Sequence, residues 1–182
     1  MADDVPPGSD GPLAEYVSLR QEIESRASRQ QSLFVLHVTT AGAVFSFALT
    51  GGGRSAFLLI LPITSYLYCA RYVMLHHGTQ NIAEYIRDVL SPIVPGGLGW
   101  EAWHARRPKR LPLLAWTHPS FITFPGVAAL ALVWTIPTVF TGWQSSAWPQ
   151  QAGLLALWLI GLAAAVASHL LVLTTVRRWL RQ

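Results

Sequence analysis

The sequence of 182 residues has few charged residues and almost no cysteine. Charged residues make up 12% of the chain, against about 25% in an ordinary soluble domain, whereas 52% of the residues are hydrophobic. The one cysteine, Cys69, excludes an internal disulfide and a cysteine-based zinc site. Walker, HExxH, CxxC and GxSxG motifs are also absent from the sequence. We therefore expect a membrane protein that is not an enzyme and has no cofactor.

Three charge-free stretches predict the membrane spans. They cover 30–53, 55–70 and 111–176, which are 24, 16 and 66 residues long. A membrane helix needs about 20 mostly apolar residues, and a flanking arginine such as Arg71 can reach the lipid surface with its side chain. We place transmembrane helices at 32–50, 56–74, 119–141 and 152–176. The predicted fold class is an all-α integral membrane bundle of four transmembrane helices with a small cytoplasmic helical layer.

The distribution of Lys and Arg predicts the orientation. Twelve of the 13 basic residues lie in the N-terminal segment, in the 75–118 connector, at Arg71 near the end of the second span, or in the 177–182 tail. Only Arg54 lies in a loop on the opposite side of the predicted membrane. Cytoplasmic loops carry the excess of positive charge, so both termini are expected on the cytoplasmic side of a bacterial inner (plasma) membrane. The acidic MADDVPPGSD start lacks the basic region of a secretory signal peptide, and the first span is expected to stay as an uncleaved anchor.

Basic residues beside the spans predict contacts with anionic lipid head groups rather than with nucleic acid. These residues are Arg106, Arg107, Lys109, Arg110, Arg177 and Arg178.

The cytoplasmic segments divide into a disordered tail (1–12), an amphipathic helix (13–31), the connector (75–118) and a basic tail (177–182). Within the connector, Gly78 is expected to loosen the chain, Thr79 to cap a new helix, and Ser91-Pro92 to end it. The apolar faces of the two helices predict a docking surface made of Tyr16, Leu19, Ile23, Ile82, Tyr85, Ile86 and Trp100. His76 and His77 point about 100° apart on a helix, which argues against a shared metal.

The segments EYVSLRQEIESRASRQQ, IAEYIRDVL and GLGWEAW resemble a family of small, uncharacterised bacterial multi-pass membrane proteins. The resemblance covers roughly 15–104 and implies only a layout: a helix, two spans, a cytoplasmic helix, a Gly-Trp-Glu turn and further membrane segments.

Polar residues inside spans are costly and suggest function. His37 and His169 lie at similar depths in the first and last spans, about 6 and 8 Å on the cytoplasmic side of the midplane at 1.5 Å rise per residue. They form a predicted intramembrane polar cluster with Thr40, Tyr68, Cys69, Thr123 and Ser168. Hydrogen-bonded neutral histidines, a proton or ion path, and haem ligation by His37 and His169 remain alternatives. Pro62, Pro125 and Pro137 predict kinks, with Pro62 the best placed.

Three functions follow as hypotheses. The first is a non-enzymatic module that anchors or senses at the cytoplasmic face, as an oligomer or with a protein partner. The second is a small oligomeric channel or membrane-disrupting effector of a defence or stress system. The third is a haem or redox membrane subunit.

Overall fold

The protein is all-helical, as the sequence predicts. The structure, a computed structural model, describes residues 10–51, 53–94, 97–106, 120, 122–141 and 148–181. Within these ranges 92% of the residues are helical and none is in a strand. Four of the described helical segments are long and apolar enough to cross a membrane.

Five α-helices and three distorted helical turns make up the described chain. Helix α1 is Asp10–Leu49, α2 is Ile60–Tyr85, α3 is Gly99–Arg106, α4 is Val127–Phe140 and α5 is Trp148–Arg181. A 3₁₀ turn, Ser55–Leu59, leads into α2, and π-helical turns at Ile86–Leu90 and Ile122–Gly126 follow α2 and precede α4. Helix α1 therefore takes in the last three residues of the predicted disordered tail, while 1–9 lie outside the described residues.

The predicted break at Gly78 is wrong, because α2 runs through it to Tyr85. Thr79 does not cap a helix; its Oγ1 donates a hydrogen bond to the Leu75 carbonyl one turn back, at 3.1 Å. Gly78 instead makes room for Arg26: a Cβ at this position would lie 1.7 Å from Nη1 of that arginine. A helical glycine costs only about 1 kcal/mol relative to alanine, which a tertiary contact can offset. The helix does end before Ser91-Pro92, as the proline predicts.

Two of the three prolines expected to kink helices differ in their surroundings. Pro62 lies in the first turn of α2, directly after the 3₁₀ turn Ser55–Leu59, and the kink there stays a prediction. The distortion occurs at Pro125, which lies inside the π-helical turn Ile122–Gly126.

The chain forms two compact units, each with its own core. Of the described residues, the first unit comprises 10–31 and 74–106, and the second comprises 32–73 and 120–181, with the gaps given above. In the first unit Ile86, Leu90 and Val94 are buried, and the side chains packed against them are Tyr16, Leu19, Ile23, Ile82 and Leu98. We call this set the membrane-external core, since all of it lies outside the predicted spans.

The core of the second unit consists of three apolar clusters. They are Ala41, Ala48, Leu58, Leu61 and Ala131; Cys69, Val73, Phe124 and Val172; and Ala128, Leu132 and Ala165. Gly161 permits a close helix approach here, because a Cβ at this position would lie 3.2–3.3 Å from side-chain atoms of Leu132 and Pro62. The small residues of α5 thus pack within the same chain.

Replacing Ile86 by Asp is expected to unfold the first unit. Ile86 is fully buried in the membrane-external core, whereas Val89, on the same π-helical turn, is 49% exposed. A buried unpaired charge is strongly unfavourable, so Ile86→Asp should lower the melting temperature and the yield in detergent, and Val89→Asp should change neither. Equal melting of the parent and both variants would show that the core around Ile86 does not form.

Candidate functional site

His37 is the most constrained polar residue of the second unit. Its side chain is fully buried, and its ring lies against two aromatic rings, with centroids 5.4 Å from Tyr68 and 5.1 Å from Phe124. Nε2 lies 3.0 Å from the carbonyl oxygen of Thr123. A carbonyl only accepts, so Nε2 carries the proton and donates it. The structure therefore joins α1 to the π-helical turn before α4 through one imidazole.

The hydrogen bond from His37 ends on an irregular helical turn. In a π-helical turn, the backbone partners shift from i+4 to i+5, and Pro125 has no N–H to donate. The Thr123 carbonyl gains a donor from His37 across the helix pair. Such irregular turns occur often at functional sites in helices.

Two buried polar atoms have no hydrogen-bond partner among the described residues. They are Nδ1 of His37 and Oγ of Ser65. A buried donor or acceptor without a partner costs about 1–3 kcal/mol, and a native structure rarely keeps one without a reason. The sequence analysis missed Ser65, since serine is a common residue in spans and only its burial distinguishes it.

The predicted polar cluster divides into separate contacts. Tyr68 and Thr123 contact His37, Thr123 through its backbone rather than its hydroxyl. Cys69 lies elsewhere and donates its Sγ proton to the Ser168 carbonyl at 3.7 Å. Ser168 Oγ donates to Ala164 within its own helix at 2.9 Å. Thr40 is half-buried on α1.

His169 borders an open cavity of about 590 Å³ at the start of α4. The other described residues that line it are Ile122, Pro125, Gly126, Val127, Ala129 and Leu130. His37 is not among the described lining residues. Haem ligation by both histidines needs both rings to face one cavity, and this alternative stays a prediction.

The predicted docking surface is mostly interior to the first unit. Five of its seven residues are in the membrane-external core, namely Tyr16, Leu19, Ile23, Ile82 and Ile86. Tyr85 and Trp100 are exposed instead. The Tyr85 hydroxyl donates to Oε1 of Glu15 at 2.8 Å, and the Trp100 ring lies against Trp103 with centroids 5.2 Å apart.

Hydrogen bonds to charged neighbours shift the pKa of two exposed side chains outside the predicted spans. The hydrogen bond to the Glu15 carboxylate raises the pKa of Tyr85, and the hydrogen bonds from the Arg87 guanidinium lower the pKa of Asp88. Both groups therefore keep their ordinary charge at neutral pH.

Ser91 closes the turn that connects α2 to α3. Its Oγ donates to the Leu98 carbonyl and accepts from the Leu98 N–H, both at 3.0 Å. Gly97, with φ of +69°, adopts the left-handed conformation that favours glycine. The sequence identified a Gly-rich turn here, but the double contact of Ser91 spans seven residues and has no local pattern.

The predicted lipid contacts are only partly visible. Arg106 and Arg177 are exposed. Arg107, Lys109, Arg110 and the side chain of Arg178 lie outside the described residues.

Comparison with known proteins gives no relative: no protein-family profile matches the chain, and no curated protein or solved structure matches it significantly.

Removing the His37 imidazole is expected to destabilise the second unit without affecting His169. His37→Ala removes the hydrogen bond to the Thr123 carbonyl and the contacts with two aromatic rings, and should lower the free energy of unfolding by about 1–3 kcal/mol. The double variant with His169→Ala should be additive, because the two rings are in different surroundings. Unfolding of the single and double variants in mixed micelles measures this. A coupling energy well above about 0.5 kcal/mol would mean that the two histidines share one network.

Proposed function

We propose that the protein is a non-enzymatic, multi-pass module of the bacterial inner membrane that anchors or senses at the cytoplasmic face by binding a protein partner. The proposal has three supports: exposed apolar surface on the long helices, the distribution of charge, and apolar side chains that the membrane-external core leaves exposed.

The exposed apolar surface of the long helices supports membrane insertion. In the most apolar parts of α1 and α5 only 17% and 22% of the residues are buried within the chain. Apolar surface in water costs about 25 cal/mol per Å², and hydrocarbon removes that cost. Helices satisfy their own backbone hydrogen bonds, as the bilayer core requires.

The distribution of basic residues supports the orientation. Described basic residues of the first unit include Arg20, Arg26 and Arg87. In the second unit, Arg71 and Arg177 lie at the predicted cytoplasmic ends of spans, and Arg54 lies at the predicted outer loop. With the positive-inside rule, this distribution favours a cytoplasmic first unit.

One observation carries the partner-binding function. The core of the first unit is already filled by Ile86, Leu90 and Val94, yet the same unit keeps Ile93, Trp100 and Trp103 exposed. Tryptophan is enriched among the residues that dominate binding energy at protein interfaces. The two indoles lie against each other, which holds them as one apolar surface. We call Ile93, Trp100 and Trp103 the indole surface.

A second function is favoured by a different observation. Thr39, Gly42 and Ser46 recur at helical spacing on α1, and all three are exposed within the span. Hydroxyl and small side chains are used where membrane helices meet. If several copies of α1 packed around one axis, this stripe could line a central pore, as in a small channel.

The partner-binding function is tested by co-purification from native membranes in gentle detergent. Trp100→Ser with Trp103→Ser should lose specific co-purifying proteins that the parent retains, as measured by quantitative mass spectrometry. Trp134→Ser is the matched control, because Trp134 is also exposed but lies on α4 in the second unit. Its co-purifying proteins should match those of the parent.

Two results would contradict the proposal. Identical proteins recovered with the parent and the indole variant would show that the indole surface binds no partner. The channel would be favoured instead if the pure protein in liposomes conducted ions. The currents would then be lost in Thr39→Val and kept in Thr174→Val on α5.

A further inference from the structure

The two buried polar atoms without a hydrogen-bond partner among the described residues belong to the same unit. They are Nδ1 of His37 and Oγ of Ser65, both in the second unit, and both side chains are fully buried. Such atoms are rare in native structures. Where they occur in proteins, an internal water molecule is their usual partner, and it makes two to four hydrogen bonds.

Contacts between α1 and α2 place these two atoms in one region of the helix pair. Tyr68, whose ring centroid lies 5.4 Å from that of His37, is three residues beyond Ser65, and residues at this spacing are neighbours on a helix surface. Leu61, one turn before Ser65, belongs to the same buried cluster as Ala41, one turn beyond His37. Ser65 therefore lies on α2 between two points that meet α1, within about a turn of the imidazole. Ala41 and Ser65 bring only small side chains to this contact, which favours room for a molecule of water's size.

The chemistry of the two atoms defines what can bind there. Nε2 of His37 donates to the Thr123 carbonyl, so in the neutral ring Nδ1 only accepts. The Ser65 hydroxyl can donate and accept. The bound molecule must donate to a nitrogen and also bond a hydroxyl, and water is the smallest molecule that does both. An ion would find no counter-charge on these helices, because 30–53 and 55–70 contain no charged residue.

We propose that one buried water molecule is bound between His37 and Ser65, where it donates to Nδ1 and accepts from the serine hydroxyl. The water links α1 to α2, and the imidazole links α1 to the turn Ile122–Gly126. One chain of hydrogen bonds then connects three elements of the second unit. This water site is independent of the indole surface and of any partner bound there.

Solid-state NMR of the full chain in lipid bilayers, labelled with ¹⁵N-histidine, tests the site directly. The unprotonated Nδ1 of His37, assigned by its loss in His37→Phe, should receive magnetisation from water protons. Ser65→Ala should lose this transfer, because the water then keeps only one of its two partners. Ser168→Ala is the matched control: Ser168 is also buried, but its Oγ donates to Ala164 within α5, so the transfer should persist.

Thermal unfolding in mixed micelles gives a second test, in which the sign of the change decides. With the water bound, Ser65→Ala leaves Nδ1 without its donor and should lower the melting temperature by at least about 2 °C. Without the water, the same change would remove a hydroxyl that costs stability, and the melting temperature would rise. In the His37→Phe background the water has no acceptor, so Ser65→Ala should no longer destabilise.

Four outcomes would overturn the water site. No transfer from water to Nδ1 in the parent would show that no water is bound there, and transfer that survives Ser65→Ala would assign the water to His37 alone. A melting temperature raised by Ser65→Ala would mean that the hydroxyl binds nothing. Equal destabilisation by Ser65→Ala with and without the imidazole would reduce Ser65 to a packing residue.

Discussion

On the proposed membrane insertion, the cost of placing charge in hydrocarbon is the constraint on which the rest of this structure depends. It favours neutral polar groups inside the spans, such as His37 and Ser168, which need hydrogen-bond partners within the chain. His37 finds one in the Thr123 carbonyl, and Ser168 finds one in its own helix. The single bond from an imidazole to a distorted turn thereby positions the start of α4 and, through it, the cavity beside His169.

The same constraint favours charged residues outside the spans, and many of them lie in the first unit, which has a core of its own. Ile86, Leu90 and Val94 provide it, and local pairs such as Arg26 with Glu22 complete its surface. Ion pairs of this exposed kind contribute little to stability, so the apolar contacts carry the unit. The exposed side chains of the indole surface belong to this small unit, which connects it to the partner binding proposed above.

The sequence predicts the helices well and the sites poorly, for physical reasons. Charge-free stretches and helical spacing are local, so four apolar helices and the contact between Ile23 and the Ile86 turn follow from periodicity. Glycine's weak helix propensity predicts a break at Gly78. The close contact between Gly78 and the Arg26 side chain overrides that propensity. Whether His37 and His169 face one another depends on helix rotation, which equal depth does not specify. The burial of Ser65 has no signature in the sequence.

The most direct test of the account is thiol labelling in intact cells, because it asks at once whether the chain is inserted and which unit faces the cytoplasm. Cysteines placed singly at Glu24 and Asn81, both exposed in the first unit, should resist an impermeant maleimide until the cells are opened. Ser145→Cys, in the predicted outer loop, should react at once, with the buried Cys69 of the parent as background. Labelling of Glu24→Cys or Asn81→Cys in intact cells would contradict the four-span account with a cytoplasmic first unit.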